Sequence, residues 1–161
     1  MGILLIIFIS IGSLFSIESP DPTIEAQLDK VWNKMSVTVA AGDYDGYASV
    51  YHPDAVLVSG YSKDSYPISK ALSDWKKGFD DTKAGKMKAG ATFRFSQRFH
   101  DETTAHDTGM FHYFIEYPDG RRVDQYVHMN ALLVKKDNQW LVVMEYQKGP
   151  GTIAEWNNLK K

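Results

Sequence analysis

The chain contains no cysteine. Thiol nucleophiles, thiolate metal sites, disulfides and cysteine-based lipid anchors are excluded with it, while the redox compartment stays open. Charge of one sign is also missing. Eighteen Lys and Arg stand against twenty Asp and Glu, with no basic stripe, so there is no electrostatic footprint for nucleic acid and no such partner is expected. No Gly-rich phosphate loop, Gly-x-Ser-x-Gly, His-x-His or His-Glu-x-x-His occurs, which removes the usual phosphate cradle, hydrolase elbow and zinc pair. His106 and His112 share a strand face but are too far apart in sequence to hold one metal. Neither a metal nor a cofactor is expected. Internal repeats and low-complexity segments are absent.

A long apolar run occurs only at the start. Ile3-Leu4-Leu5-Ile6-Ile7-Phe8-Ile9 is followed by the small residues Ser10, Gly12, Ser13 and Ser16, and the first charge is Glu18. Residues 1–17 read as a secretory signal peptide, too short to span a bilayer comfortably, which implies a secreted or periplasmic protein. No Lys or Arg precedes the run, and an uncleaved membrane anchor is the alternative. Residues 18–161 then make one domain of ordinary size. With 43% hydrophobic and 13% aromatic residues, that domain is expected to pack a core rather than stay disordered.

Within it, Ile24, Leu28, Val31, Trp32, Met35 and Val39 recur at helical spacing until Gly42. Asp43 starts a short second helix bearing Tyr47, Val50 and Tyr51, closed by His52-Pro53. Ala55 to Ser59 is a short strand, and Tyr61 to Pro67 a loop suited to flank a pocket mouth. Ser69 can cap a third helix with Leu72, Trp75 and Phe79 on its buried stripe. From Ala91 the period becomes two: Ala91, Phe93, Phe95, Gln97 and Phe99 alternate with Thr92, Arg94, Ser96 and Arg98. Ile153 to Leu159 is at most a weak terminal helix. Helices followed by strands predict an α+β layout.

The most informative stretch is Thr104 to Lys148, which reads as a three-stranded meander. Its turns are Tyr117-Pro118-Asp119-Gly120-Arg121 and Lys136-Asp137-Asn138-Gln139. Two-residue turns would set Tyr113 opposite Tyr126, Phe111 opposite His128, and Asn130 opposite Glu145. One face would carry Met110, Phe114, Val127, Met129, Ala131, Leu133, Val142, Met144 and Tyr146. The other would be graded, with Leu132, Val134, Leu141 and Val143 giving way to Tyr113, Asp124, Tyr126, His128, Asn130, Glu145 and Gln147. The graded face is expected to close a pocket, greasy at its base and polar at its mouth. The apolar face, through Met110, Phe114, Met129, Met144 and Tyr146, is expected to carry a homodimer.

Ala41-Gly42-Asp43-Tyr44-Asp45, Tyr51-His52-Pro53-Asp54-Ala55-Val56, Asp119-Gly120-Arg121 and Lys136-Asp137-Asn138-Gln139-Trp140-Leu141-Val142-Val143 occur in an order that resembles nuclear transport factor two and ketosteroid isomerase, most closely the SnoaL-like branch. The resemblance covers roughly residues 24–148. It implies a cystatin-like α+β cone, three N-terminal helices packed on a curved antiparallel sheet with a central pocket. Such cones host isomerases, cyclases, dehydratases and assembly modules. Carried over residue by residue, the isomerase's aspartate base falls at Ser59, its first-helix tyrosine at Met35, its second acidic oxyanion donor at Asn130 and a pocket aromatic at Gln147. Steroid isomerisation by that machinery is therefore not implied. Trp140 to Tyr146 also resembles the association domain of calmodulin-dependent kinase, a non-enzymatic cone.

Two functional readings stand. In the first, Glu145, His128, Asn130 and Tyr126 form a cofactor-free acid–base cluster acting on a small oxygenated organic molecule, by cyclase, dehydratase or isomerase chemistry. Gln147, Tyr113, Asp124, Trp32, Tyr51 and Ser59 would line its ligand site, though Trp32 equally suits a core position. In the second, the same polar groups satisfy one another structurally and the domain binds a ligand or assembles without turnover. Asp107 reads as a strand-end residue.

Overall fold

The computed structural model describes residues 22–159, so the expected signal peptide at 1–17 lies outside the described residues. Among the described residues no helix is long and apolar enough to cross a membrane. Helices α1 (Pro22–Ala41), α2 (Tyr44–Ala48) and α3 (Ile68–Lys83) are interleaved with strands β1 (Tyr51–Ser59) and β2 (Asp64–Pro67). Strands β3 (Lys88–His100), β4 (Thr104–Glu116), β5 (Arg122–Lys136) and β6 (Gln139–Pro150) follow, and a short helix α4 (Ile153–Asn158) comes last. The strands form one six-stranded sheet in the order β2-β1-β6-β5-β4-β3. The architecture is an α+β cone: α1, α2 and α3 pack on the inner face of a curved, unclosed sheet.

The sheet is not wholly antiparallel, because β1 runs parallel to β6. Tyr51 and His52-Pro53 belong to β1 rather than to α2, with the pairing interrupted between Tyr51 and Val56. A proline cannot donate to a ladder and is confined to such irregular positions. The loop expected at Tyr61 to Pro67 contains β2, and α3 starts at Ile68 with Pro67 at its cap, so Ser69 is not the cap.

Register decides which side chains share a face. The turn at Asp137-Asn138 is a two-residue turn as expected, with both residues at positive φ and Lys136 opposite Gln139. The turn at Asp119-Gly120 is longer: Glu116 pairs with Arg122, and Tyr117 N–H donates to the Arg121 carbonyl at 2.9 Å. Tyr113 therefore lies opposite Gln125 and Phe111 opposite Val127. A one-residue shift exchanges the faces. Strand β6 adds a bulge, since Leu133 pairs with Val142 while Leu132 pairs with Met144. Beyond it Glu145 sits opposite Ala131 and Gln147 opposite Met129, on the core side. The inner face thus joins Phe111 and Tyr113 to Met129, Ala131, Leu133, Val142, Glu145 and Gln147.

The α1 stripe of Ile24, Leu28, Val31, Trp32, Met35 and Val39 is buried against that face as its spacing predicts. Gly42 ends α1 at φ +66°, and a Cβ there would stand 2.4 Å from Lys83 N. The end of α3 can approach only because that side chain is missing. Asp107 is not a strand-end residue. It is fully buried, accepts from Trp32 Nε1 at 2.7 Å, and is paired by Arg98 at 3.0 and 3.2 Å. Arg98 also reaches Asp29 on α1, so the network ties α1 to the β3–β4 edge.

Candidate functional site

A cavity of about 390 Å³ opens between the sheet and the helices, within the usual range for ligand sites. Val39 closes it from α1, Tyr47 from α2, and Asp74, Trp75, Phe79 and Thr82 from α3. The sheet contributes Ala89, Ala91, Phe93, Phe111, Tyr113, Gln125, Glu145 and Gln147. The walls are therefore largely aromatic, with carboxyl groups in two places. Asp74 is exposed and ion-paired to Lys70 at 2.7 Å. Glu145 is only 7% exposed.

Glu145 is held by neutral donors. Tyr51 Oη donates to Oε2 at 2.6 Å and Gln147 Nε2 to Oε1 at 2.8 Å, and the Tyr47 and Tyr51 hydroxyls are 3.2 Å apart. Burial pushes the Glu145 carboxyl above its ordinary value, against the opposing effect of those two bonds. Burial, followed by the neighbouring Glu145 charge, also pushes both tyrosines up, so they act as hydrogen-bond donors and not as phenolates.

This predicts a pH dependence of stability. The folded-state pKa of Glu145 lies above its ordinary 4.5, so folding favours the protonated form. Its contribution is complete below about pH 4.5 and is lost as pH rises through the raised value. Urea midpoints of the wild type should therefore fall relative to those of Glu145→Gln across that interval. A difference that does not change with pH would overturn the assignment of a buried acid.

The expected acid–base cluster does not assemble. Glu145, Gln147 and Tyr113 line the cavity, and Tyr51 stands directly behind Glu145. His128, Asn130, Tyr126 and Asp124 lie on the opposite, outer face, because the longer β4–β5 turn and the β6 bulge each shift the ladder by one residue. There His128 Nε2 faces Glu155 Oε1 at 3.4 Å, and Asn130 Nδ2 contacts His106 Nε2 at 3.1 Å. Tyr126 stacks on His112 at 4.5 Å, whose Nε2 is 2.7 Å from Asp124. Ser59 pairs in register with Gln147 but accepts from Ser62 N–H in a turn. Trp32 is a core residue bound to Asp107, not a wall of this cavity.

The outer face also differs from the expected apolar patch. Met129 points inward and is buried, and Met110 lies beneath Gly151. The segment after β6 folds back over that face. A Thr152–Glu155 capping box starts α4, and Trp156 packs on His112 and Tyr126 with the Arg94 guanidinium over its ring at 4.5 Å. Phe114, Met144 and Tyr146 remain half-buried there, a smaller patch than the homodimer expectation assumed.

Sequence reasoning missed Tyr47, Trp75, Phe79, Phe93 and Phe111 as cavity walls. Their periodicity marked them as inward-facing but carried no sign separating a wall from a filled core. Among the described residues no group of three His, Asp or Glu could hold a metal ion.

No protein-family model matches the chain, and no curated protein matches it. Solved structures do. An NTF-2 like protein of unknown function from Shewanella oneidensis is 16% identical, with a TM-score of 0.60 over 76% of this chain and 97% of that one. ActVI-ORFA from Streptomyces coelicolor is 14% identical, with a TM-score of 0.62 over 77% and 95%. A Xanthomonas campestris protein described as a calcium/calmodulin dependent protein kinase II association domain is 19% identical, with a TM-score of 0.56 over 80% and 86%. At such identities the likeness is one of fold, and the fold of this chain is the nuclear transport factor two-like cone that its sequence resembles.

Proposed function

We propose that the protein binds a small organic molecule in the Glu145 cavity and exchanges a proton with its polar end. The observation that carries this is the placement of Glu145: a buried carboxyl at the wall of an aromatic cavity, bonded among the described residues only to neutral donors. Keeping a carboxylate in such a place without a counter-charge is costly. A carboxyl that burial makes more ready to hold its proton suits general acid–base work. The apolar body of the ligand would lie among the rings, and its heteroatom would meet Glu145.

A second reading has its own observation. With His128 and Asn130 on the other face, Glu145 bonds Tyr51 and Gln147 among the described residues, with Tyr47 next to Tyr51. A single proton-handling group also fits a domain that holds its ligand without turning it over.

Ala91→Trp tests the cavity under both readings. Ala91 lines it from β3, and an indole there should project into it and narrow it. A compound library should contain molecules that raise the melting temperature of the wild type more than that of a folded Ala91→Trp variant. Hits that stabilise both proteins equally would refute the site.

A further inference from the structure

The charge of the cavity wall selects among ligands. Six rings surround the space, from Tyr47, Trp75, Phe79, Phe93, Phe111 and Tyr113, and among the described residues none that lines it is Lys, Arg or His. Ring faces carry negative partial charge. Asp74 at the rim is already matched by Lys70. Among the described residues Glu145 is matched by no cation: its oxygens accept from Tyr51 and Gln147, and both donors are neutral. An anionic ligand would meet like charge with nothing to offset it. A neutral ligand would leave the carboxyl as it is, either protonated or uncompensated. A cation would satisfy the carboxylate and the ring faces together.

We propose that the cavity takes a protonated amine carried on an apolar body, its ammonium against Glu145 and its apolar part among the rings. The inference rests on the reading of this cavity as a ligand site and names the ligand class. Each Glu145 oxygen accepts one hydrogen bond from the protein and keeps a lone pair free, so an amine with at least one N–H fits better than a quaternary one. The proton count is simple. An ammonium arriving from water displaces the carboxyl proton to solvent. A neutral amine takes that proton onto its nitrogen, and no proton is released. Both routes end in the same carboxylate–ammonium pair.

Calorimetric titration with three probes of similar shape tests this: phenethylamine, phenethyl alcohol and hydrocinnamate. The amine is expected to bind the wild type at least about tenfold more tightly than the alcohol, and the acid is expected not to bind. Glu145→Gln, checked for cooperative unfolding, should erase the preference for the amine while the alcohol still binds. Ala91→Trp should weaken binding of both by at least about tenfold. Wild-type protein that binds the alcohol as well as the amine, or prefers the acid, overturns the cationic ligand and leaves the cavity standing as a ligand site. Amine affinity left unchanged by Ala91→Trp places the amine elsewhere and also overturns it. If neither amine nor alcohol binds, the cationic ligand falls, and the library screen decides separately whether the cavity binds anything.

Discussion

Asp107→Ala is expected to lower folding stability by about 3–5 kcal/mol, the cost of breaking a buried ion pair from one side. The carboxylate is fully buried, and its removal strands two donors at once. Arg98 would keep Asp29, which is largely exposed, and its stacking over the Phe95 ring, and the Trp32 indole N–H would lose its hydrogen-bond acceptor. A typical point substitution costs about 1 kcal/mol, so the two cases separate cleanly in a denaturant titration read at constant m-value. Asp107→Asn should fall between them, because an amide oxygen can still accept from Trp32 while the charge opposite Arg98 is gone. A loss below about 1 kcal/mol for the alanine variant would mean that α1 is held by its apolar stripe alone.

Glu145→Gln should have the largest effect on chemistry. On any substrate that the wild type turns over and that Ala91→Trp weakens, kcat/KM is expected to fall by at least about a hundredfold, the usual worth of a positioned acid or base. The amide keeps the shape and can still bond Tyr51 or Gln147, so the variant should fold. It cannot gain or lose a proton in the working range. The pH profile gives the sharper readout: the limb set by Glu145 in the wild type should disappear in the variant. Unchanged kcat/KM together with an unchanged profile would remove Glu145 from the chemistry.

How much of this was legible depended on what each residue type could signal locally. The helical stripe of α1 and the Asp137-Asn138 turn were readable because spacing and left-handed tolerance act over a few residues. The two-sidedness of β5 was readable as well, and its odd positions from Val127 to Leu133 are indeed on one face. Which face looks at the helices was not readable, since that depends on the neighbouring strands. A five-residue connection at Tyr117 to Arg121 and one extra residue in β6 move the partners without changing composition. Glu145 and Gln147 were read as cavity residues beside His128; they line the cavity, but His128 lies behind the sheet. Asp107 misled for a related reason. A charged residue near a strand end is ordinarily exposed, and only the bulge between Phe95 and Gln97, which brings Arg98 opposite it, permits its burial.

The parallel pairing of β1 with β6 also fixes when the site can exist. Tyr51 and the carboxyl it bonds are 94 positions apart, and no shorter stretch of chain contains both. A nascent chain that has emerged through β5 can already hold α1, α3, the β1–β2 pair and the β3–β5 ladders, yet β1 still lacks β6. Contacts of such long sequence separation form late and slowly. The cavity wall carrying Glu145 is therefore completed after the apolar surfaces around it have gathered, and until then β1 and β5 each present an unpaired edge. During synthesis, that interval is when this chain is most open to pairing with another copy of itself.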